Sequence, residues 1–156
     1  MINQQALQAT LIAGLHISAR WSINGTPMDF DFSGVRRGLG PVTSAHVSGP
    51  VEPDWMDLLL FGEYRYAEGG GASPFLGIRA SDGAVCGLDI EREGNSVFLL
   101  NSQAVAFIQS FVYLDGYLAS GNWPPADAKA KLHDIDPQAY PQSEWHSLLS
   151  YLAESD

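Results

Sequence analysis

The 156 residues make one domain of ordinary size, able to bury roughly two thirds of the surface its unfolded chain exposes without help from a disulfide or a metal. A hydrophobic share of 46% against 17% charged excludes a disordered chain, and with no apolar run of membrane-spanning length, no basic leader and no cleavage site we expect a soluble cytoplasmic protein. A net charge of −10 argues against direct binding to nucleic acid or to an anionic membrane, and it steers basic proteins toward the surface.

In chain order, residues 3–17 place Leu7, Leu11, Ile12 and Leu15 at helical spacing with Ala6, Ala9 and Ala13 among them, which predicts an amphipathic first helix bearing these four as its apolar stripe. Asn24-Gly25 is a tight-turn signal that joins residues 20–23 to 28–32 as a hairpin. In its second strand Met28, Phe30 and Phe32 face one way and Asp29 and Asp31 the other. Residues 33–53, rich in Gly, Pro, Ser and Val, read as a long irregular connection with one short strand, a segment suited to partner contacts.

Strands are then expected at 57–66, 74–79, 84–90 and 97–100, separated by the glycines 69–71, by Asp82-Gly83 and by Glu93-Gly94-Asn95. Four antiparallel strands in sequence order make a meander. At its end Asn101 or Ser102 can cap a helix running to about residue 119, in which Ala104, Phe107, Ile108, Phe111, Leu114 and Leu118 form one buried stripe. Gly121 to Pro125 stops that helix, a weaker one follows at 126–132, and Ser143 caps a last one with Trp145, Leu148, Leu149 and Leu152 on its apolar face.

Few residues form a catalytic pattern. The one cysteine, Cys86, sits in a strand and reads as a small buried hydrophobe. His16, His46, His133 and His146 lack metal-ligand spacing, so neither a metal nor a cofactor is expected. Between Gly34 and Gly40 the glycines with Arg36 and Arg37 resemble an anion-binding loop, but the strand before and helix after are missing, and a solvated turn is favoured. Ser102 follows a strand and opens a helix, yet Leu100 and Ala104 stand where a nucleophile elbow needs glycine, and capping explains it better. The pairs Asp29/Asp31 and Glu91/Glu93 share a strand face, as alternating polar positions do on a half-exposed sheet. Trp21, Trp55, Trp123 and Trp145 read as core anchors, with half-exposure the alternative for Trp55, which stands between Pro53, Asp54 and Asp57.

The acid is unevenly placed. Residues 1–50 hold two acids against three arginines, whereas 51–100 hold nine against three and 101–156 seven against two lysines. From charge and position, Glu52, Asp54, Trp55, Asp57, Asp82, Glu91 and Glu93 form the candidate partner-binding surface, an aromatic ringed by carboxylates.

The order of elements resembles the SUKH superfamily, the Syd-like and Smi/Knr-like group that includes bacterial immunity proteins. The resemblance runs over about residues 55 to 152: Phe61-Gly62 near the start of the meander, Asp82-Gly83-Ala84-Val85 at its hairpin, the exit Phe98-Leu99-Leu100-Asn101-Ser102, then Ile135-Asp136-Pro137 and Trp145-His146-Ser147-Leu148-Leu149. It implies one α+β domain over residues 1–156, with a twisted, mainly antiparallel sheet packed by N-terminal and C-terminal helices. It also implies a non-catalytic role, binding and neutralising a cognate bacterial toxin, often a nuclease. Two alternatives are an interaction scaffold of the same fold without a toxin, and a small-molecule enzyme using Arg36, Arg37 and His46 in the segment from Gly34 to Gly49.

Overall fold

The computed structural model describes residues 4–23, 26–32, 40–43, 50–66, 74–89, 96–120, 125–139 and 142–154. Helix α1 (Gln4–Gly14) precedes the hairpin of β1 (Ser18–Ile23) and β2 (Thr26–Asp31). A two-residue strand β3 (Gly40–Pro41) and a one-turn helix α2 (Pro53–Met56) lead into β4 (Leu58–Tyr66), β5 (Phe75–Arg79), β6 (Val85–Leu88) and β7 (Val97–Asn101). Helices α3 (Ala104–Ser120), α4 (Pro125–Ile135) and α5 (Glu144–Glu154) complete the chain. The strands pair antiparallel in the order β1-β2-β4-β5-β6-β7, with β3 beside the first part of β4. The architecture is α+β, a meander sheet with α1, α3 and α5 against it.

Local chemistry agrees with both hairpins. Ile23 pairs with Thr26, a register that leaves room for a two-residue connection, although Asn24 and Gly25 themselves lie outside the described residues. At the other, Gly83 takes φ +81°, a conformation that only glycine adopts without a steric penalty, and its N–H donates to the Arg79 carbonyl at 2.8 Å.

The sheet is buried on both faces along the meander, which explains the unbroken apolar run Leu58-Leu59-Leu60-Phe61. On the helical side Phe30, Phe32, Leu59, Phe61, Leu76, Ile78, Val85 and Phe98 meet Phe107, Phe111, Leu114, Trp145 and Leu149. Rings from β1, β2, β4, α3 and α5 interlock here: Trp21 lies 4.9 Å from Phe111 and 5.9 Å from Trp145, and Phe32 lies 4.9 Å from Phe111, centroid to centroid. On the other side Leu58, Leu60, Phe75, Cys86 and Leu88 form a second core with Val42 and Trp55, packed against by Val51. The connection read as irregular thus contributes part of the cover of one sheet face, and its only strand among the described residues is β3.

Two expectations are overturned. First, α1 buries Ala9, Ile12 and Ala13, while Leu7, Leu11 and Leu15 are 47%, 61% and 58% exposed. The small face lets the helix backbone sit close on β4 and β5, and α1 carries no charged residue to mark its outward side, so spacing alone could not choose between faces. Second, neither Asn101 nor Ser102 caps α3. The helix begins at Ala104, and the Phe107 N–H donates to the Gln103 carbonyl at 3.1 Å. The stripe expected on α3 does form, with Ala104, Phe107, Phe111 and Leu114 buried and Ile108 and Leu118 half-buried.

Asn101 and Ser102 instead belong to a buried polar cluster. Asp136, 2% exposed at the end of α4, accepts from the Ser102 N–H at 2.8 Å, the Ser102 hydroxyl at 2.6 Å and the Asn101 amide at 3.0 Å. Asn101 also donates to the Ser110 hydroxyl at 3.1 Å and accepts from the Trp145 indole at 2.9 Å. Ser143, the expected cap of α5, donates to the Leu100 carbonyl at 2.6 Å and accepts from the Trp145 N–H at 3.2 Å. Burial pushes the Asp136 carboxyl up, but the bonds from Ser102, Asn101 and Ala139 together outweigh it and hold the group below its ordinary 3.8.

Leu7→Gln and Leu11→Gln should each change stability to urea by no more than about 0.5 kcal/mol. Ile12→Ala should cost about 2–4 kcal/mol, and comparable losses at the three positions would contradict the assigned face.

Candidate functional site

The end of the sheet where β4 begins and the β5–β6 turn sits gathers the acid. Helix α2 starts at Pro53, which suits the first helical position, and its single turn carries Glu52, Asp54 and Asp57 within six residues. Leu58 pairs with Arg79, so Asp57 falls beside the turn. The Asp57 carbonyl accepts from the Ala80 N–H at 2.7 Å and its carboxylate accepts from the Ser81 hydroxyl at 2.6 Å. Inside the turn Arg79 donates to both oxygens of Asp82, at 2.9 and 2.8 Å, and Asp82 also accepts from the Ala84 N–H at 3.1 Å. The Arg79 hydrogen bond, and less so the Ala84 N–H, hold the Asp82 carboxyl below its usual value.

Four of the seven expected partner-binding residues therefore lie at this end of the sheet, Asp57 bonded to the turn that carries Asp82 and Glu52 and Asp54 on the same helical turn as Asp57. Glu52, Asp54 and Asp82 are exposed and Asp57 is half-buried. They stand on a turn and a helix that brace one another, so the carboxylates are presented from a fixed frame.

Trp55 does not join them. It is only 8% exposed, because α2 turns its ring down onto Val42 and Leu58 in the second core, and this corrects the expectation of a half-exposed aromatic anchor. Its buried indole N–H has no acceptor among the described residues. Glu91 and Glu93 lie outside the described residues, as do Arg36, Arg37, His46 and Trp123. The strands leading to Glu91 and Glu93 run away from the Asp82 turn, with Asp89 and Ser96 joined at 2.9 Å on the far side.

A second acidic cluster includes the Asp29/Asp31 pair legible in the sequence and adds the buried Glu63, which sequence reading did not place there. Asp31 pairs with Glu63 across β2 and β4, and with Ser18, Arg20 and Asp29 they line a polar concavity of about 460 Å³. Arg20 donates to both Asp29 oxygens, at 2.6 and 3.1 Å. Besides that pair, the sequence offered Glu63 inside the apolar strand Leu58–Tyr66, but its neighbour is set by strand register, which no local pattern specifies.

No reactive thiol or metal cage accompanies these surfaces among the described residues. Cys86 is fully buried and its thiol is pushed up to about 11 by burial, which leaves almost no thiolate at neutral pH. No group of three His, Cys, Asp or Glu side chains there is placed to hold a metal ion, and no helix there is long and apolar enough to cross a membrane. Comparison with known proteins found no matching family model, curated protein or solved structure.

The tryptophans separate by what their indoles bond. Trp55→Phe, which removes an N–H with no described acceptor, should cost no more than about 1 kcal/mol in urea unfolding. Trp145→Phe strands the Asn101 carbonyl oxygen and should cost about 1–3 kcal/mol more than that. Equal losses would show that the indole bond to Asn101 contributes nothing beyond ring packing.

Proposed function

We propose that this chain is a non-catalytic protein-binding domain of the SUKH type, an immunity protein that neutralises a basic toxin by covering it with the acidic end of its sheet. The observation that carries the reading is the acidic end of the sheet, where hydrogen bonds hold the carboxylates of Asp57 and Asp82 and the adjoining helical turn exposes Glu52 and Asp54, on a chain of net charge −10. Toxins that act on nucleic acids hold phosphates with Lys and Arg. An inhibitor that offers carboxylates from a rigid frame gains fast, salt-sensitive association and can occlude such a site. The α+β meander with helices on its face agrees with the fold the resemblance implies, and the order of elements supports the family reading. Arg79 acts within this surface to brace Asp82 and is not an anion receptor there, since its guanidinium is engaged on both carboxylate oxygens.

The test is capture with the tagged chain from its source organism at low salt, release at high salt, and co-expression of what is released with and without the chain. The expected result is a basic protein that stops growth alone and not with the chain. Asp54→Lys with Asp57→Lys should slow its association about tenfold at low salt, with less difference at high salt. Recovery of no such protein would overturn the role, and an unchanged association rate would overturn the surface.

A further inference from the structure

Between α5 and the helical face of the sheet lies a cavity of about 240 Å³ that none of the acidic residues named above lines. It opens to solvent on one side, its lining including the exposed Ser147 and the half-buried Glu144 and Leu148, and a cleft of this size persists only where side chains are kept from relaxing into it. Here two walls are pinned. A Cβ on Gly87 would run into the tip of the Phe98 ring, so that ring is laid into the space above the glycine and does not fill the cavity. Trp145 is held on the other side by its indole bond to Asn101 at 2.9 Å.

The chemistry of the lining is specific. Phe30, Tyr64, Phe98 and Trp145 give it four aromatic rings, and Glu144, which opens α5, is its one charged residue among the described residues. Aromatic faces attract a cation, and a carboxylate beside them pairs with its charge. The size is also informative: an apolar cavity of about 150 Å³ accommodates benzene. A space of about 240 Å³ then accommodates one ring and a short chain.

We propose that this cavity binds a small primary arylalkylamine, with the ring among Phe30, Phe98 and Trp145 and the ammonium toward Glu144. The site is independent of the toxin-binding reading, since it uses different residues on the helical face.

The test is calorimetric titration of the full chain with three probes of one shape: 2-phenylethylamine, 2-phenylethanol and 3-phenylpropanoate. The amine should bind saturably at one site, the alcohol at least fivefold more weakly, and the carboxylate not at all. Glu144→Gln should bring the amine down to the alcohol. The net charge of −10 attracts any cation, but this variant removes one charge of that field, so a fivefold loss would report the local carboxylate. Leu148→Phe, at a half-buried lining position, should abolish binding of both amine and alcohol with the unfolding temperature little changed. No saturable amine binding, equal binding of amine and alcohol, or full binding to Leu148→Phe would overturn the proposal. Should Leu148→Phe fail to fold, the Glu144→Gln comparison decides it.

Discussion

The Asp136 carboxylate holds the C-terminal helices to the sheet. A buried carboxylate is costly to desolvate, and it stays charged in a protein only when hydrogen-bond donors replace the water it loses. Asp136 receives them from Asn101 and Ser102, where β7 leaves the sheet. The same Asn101 side chain orients Ser110 of α3 and Trp145 of α5. One charge therefore fixes how α3, α4 and α5 sit on the edge strand, and with them the ring cluster of the main core and the walls of the cavity under α5. Each member of this cluster is satisfied, which is the condition under which a buried polar network rigidifies a fold instead of weakening it.

The two sides of the sheet do different work. The helical side carries most of the aromatic mass and the cavity. The other side is partly covered by the segment around β3 and α2, whose Trp55 is sunk in the second core while its neighbours Glu52, Asp54 and Asp57 remain at the surface. Burial of one residue of α2 thereby positions the acids on either side of it. The acidic end of the sheet is a by-product of how that core closes, and the core supplies the frame of the proposed docking surface.

What was legible in the sequence was local. Asp82-Gly83 specifies its hairpin by backbone chemistry within four residues, and the apolar runs mark strands, 58–61 buried on both faces and 97–100 buried on one and half-buried on the other. What was not legible depended on distant partners. Asn101-Ser102 has the look of a helix cap, yet the group it bonds lies 34 residues further along, and a carboxylate within reach outcompetes local capping. The leucines of α1 were misassigned because an uncharged helix with apolar residues around much of its girth has two plausible inner faces, and the smaller one fits closer to a sheet. The acidic neighbours of Trp55 suggest exposure, yet a one-turn helix can bury one side chain while exposing those beside it. Of the candidate site, the acids of α2 and the Asp82 turn were found from charge, whereas the Asp31 and Glu63 pairing needed the strand register.

The central claim is that the Asp136 carboxylate is the node of the helical layer, and stability against pH for the protein and its Asp136→Asn variant tests it most directly. Because the folded carboxyl lies below its ordinary 3.8, its contribution is complete above that value and is lost as pH falls through the folded one. The account predicts that the variant is less stable by about 2–4 kcal/mol at pH 7, and that the gap narrows as the solution is acidified below the unfolded carboxyl's range. Equal stability at pH 7, or a gap that stays constant into strong acid, would contradict it.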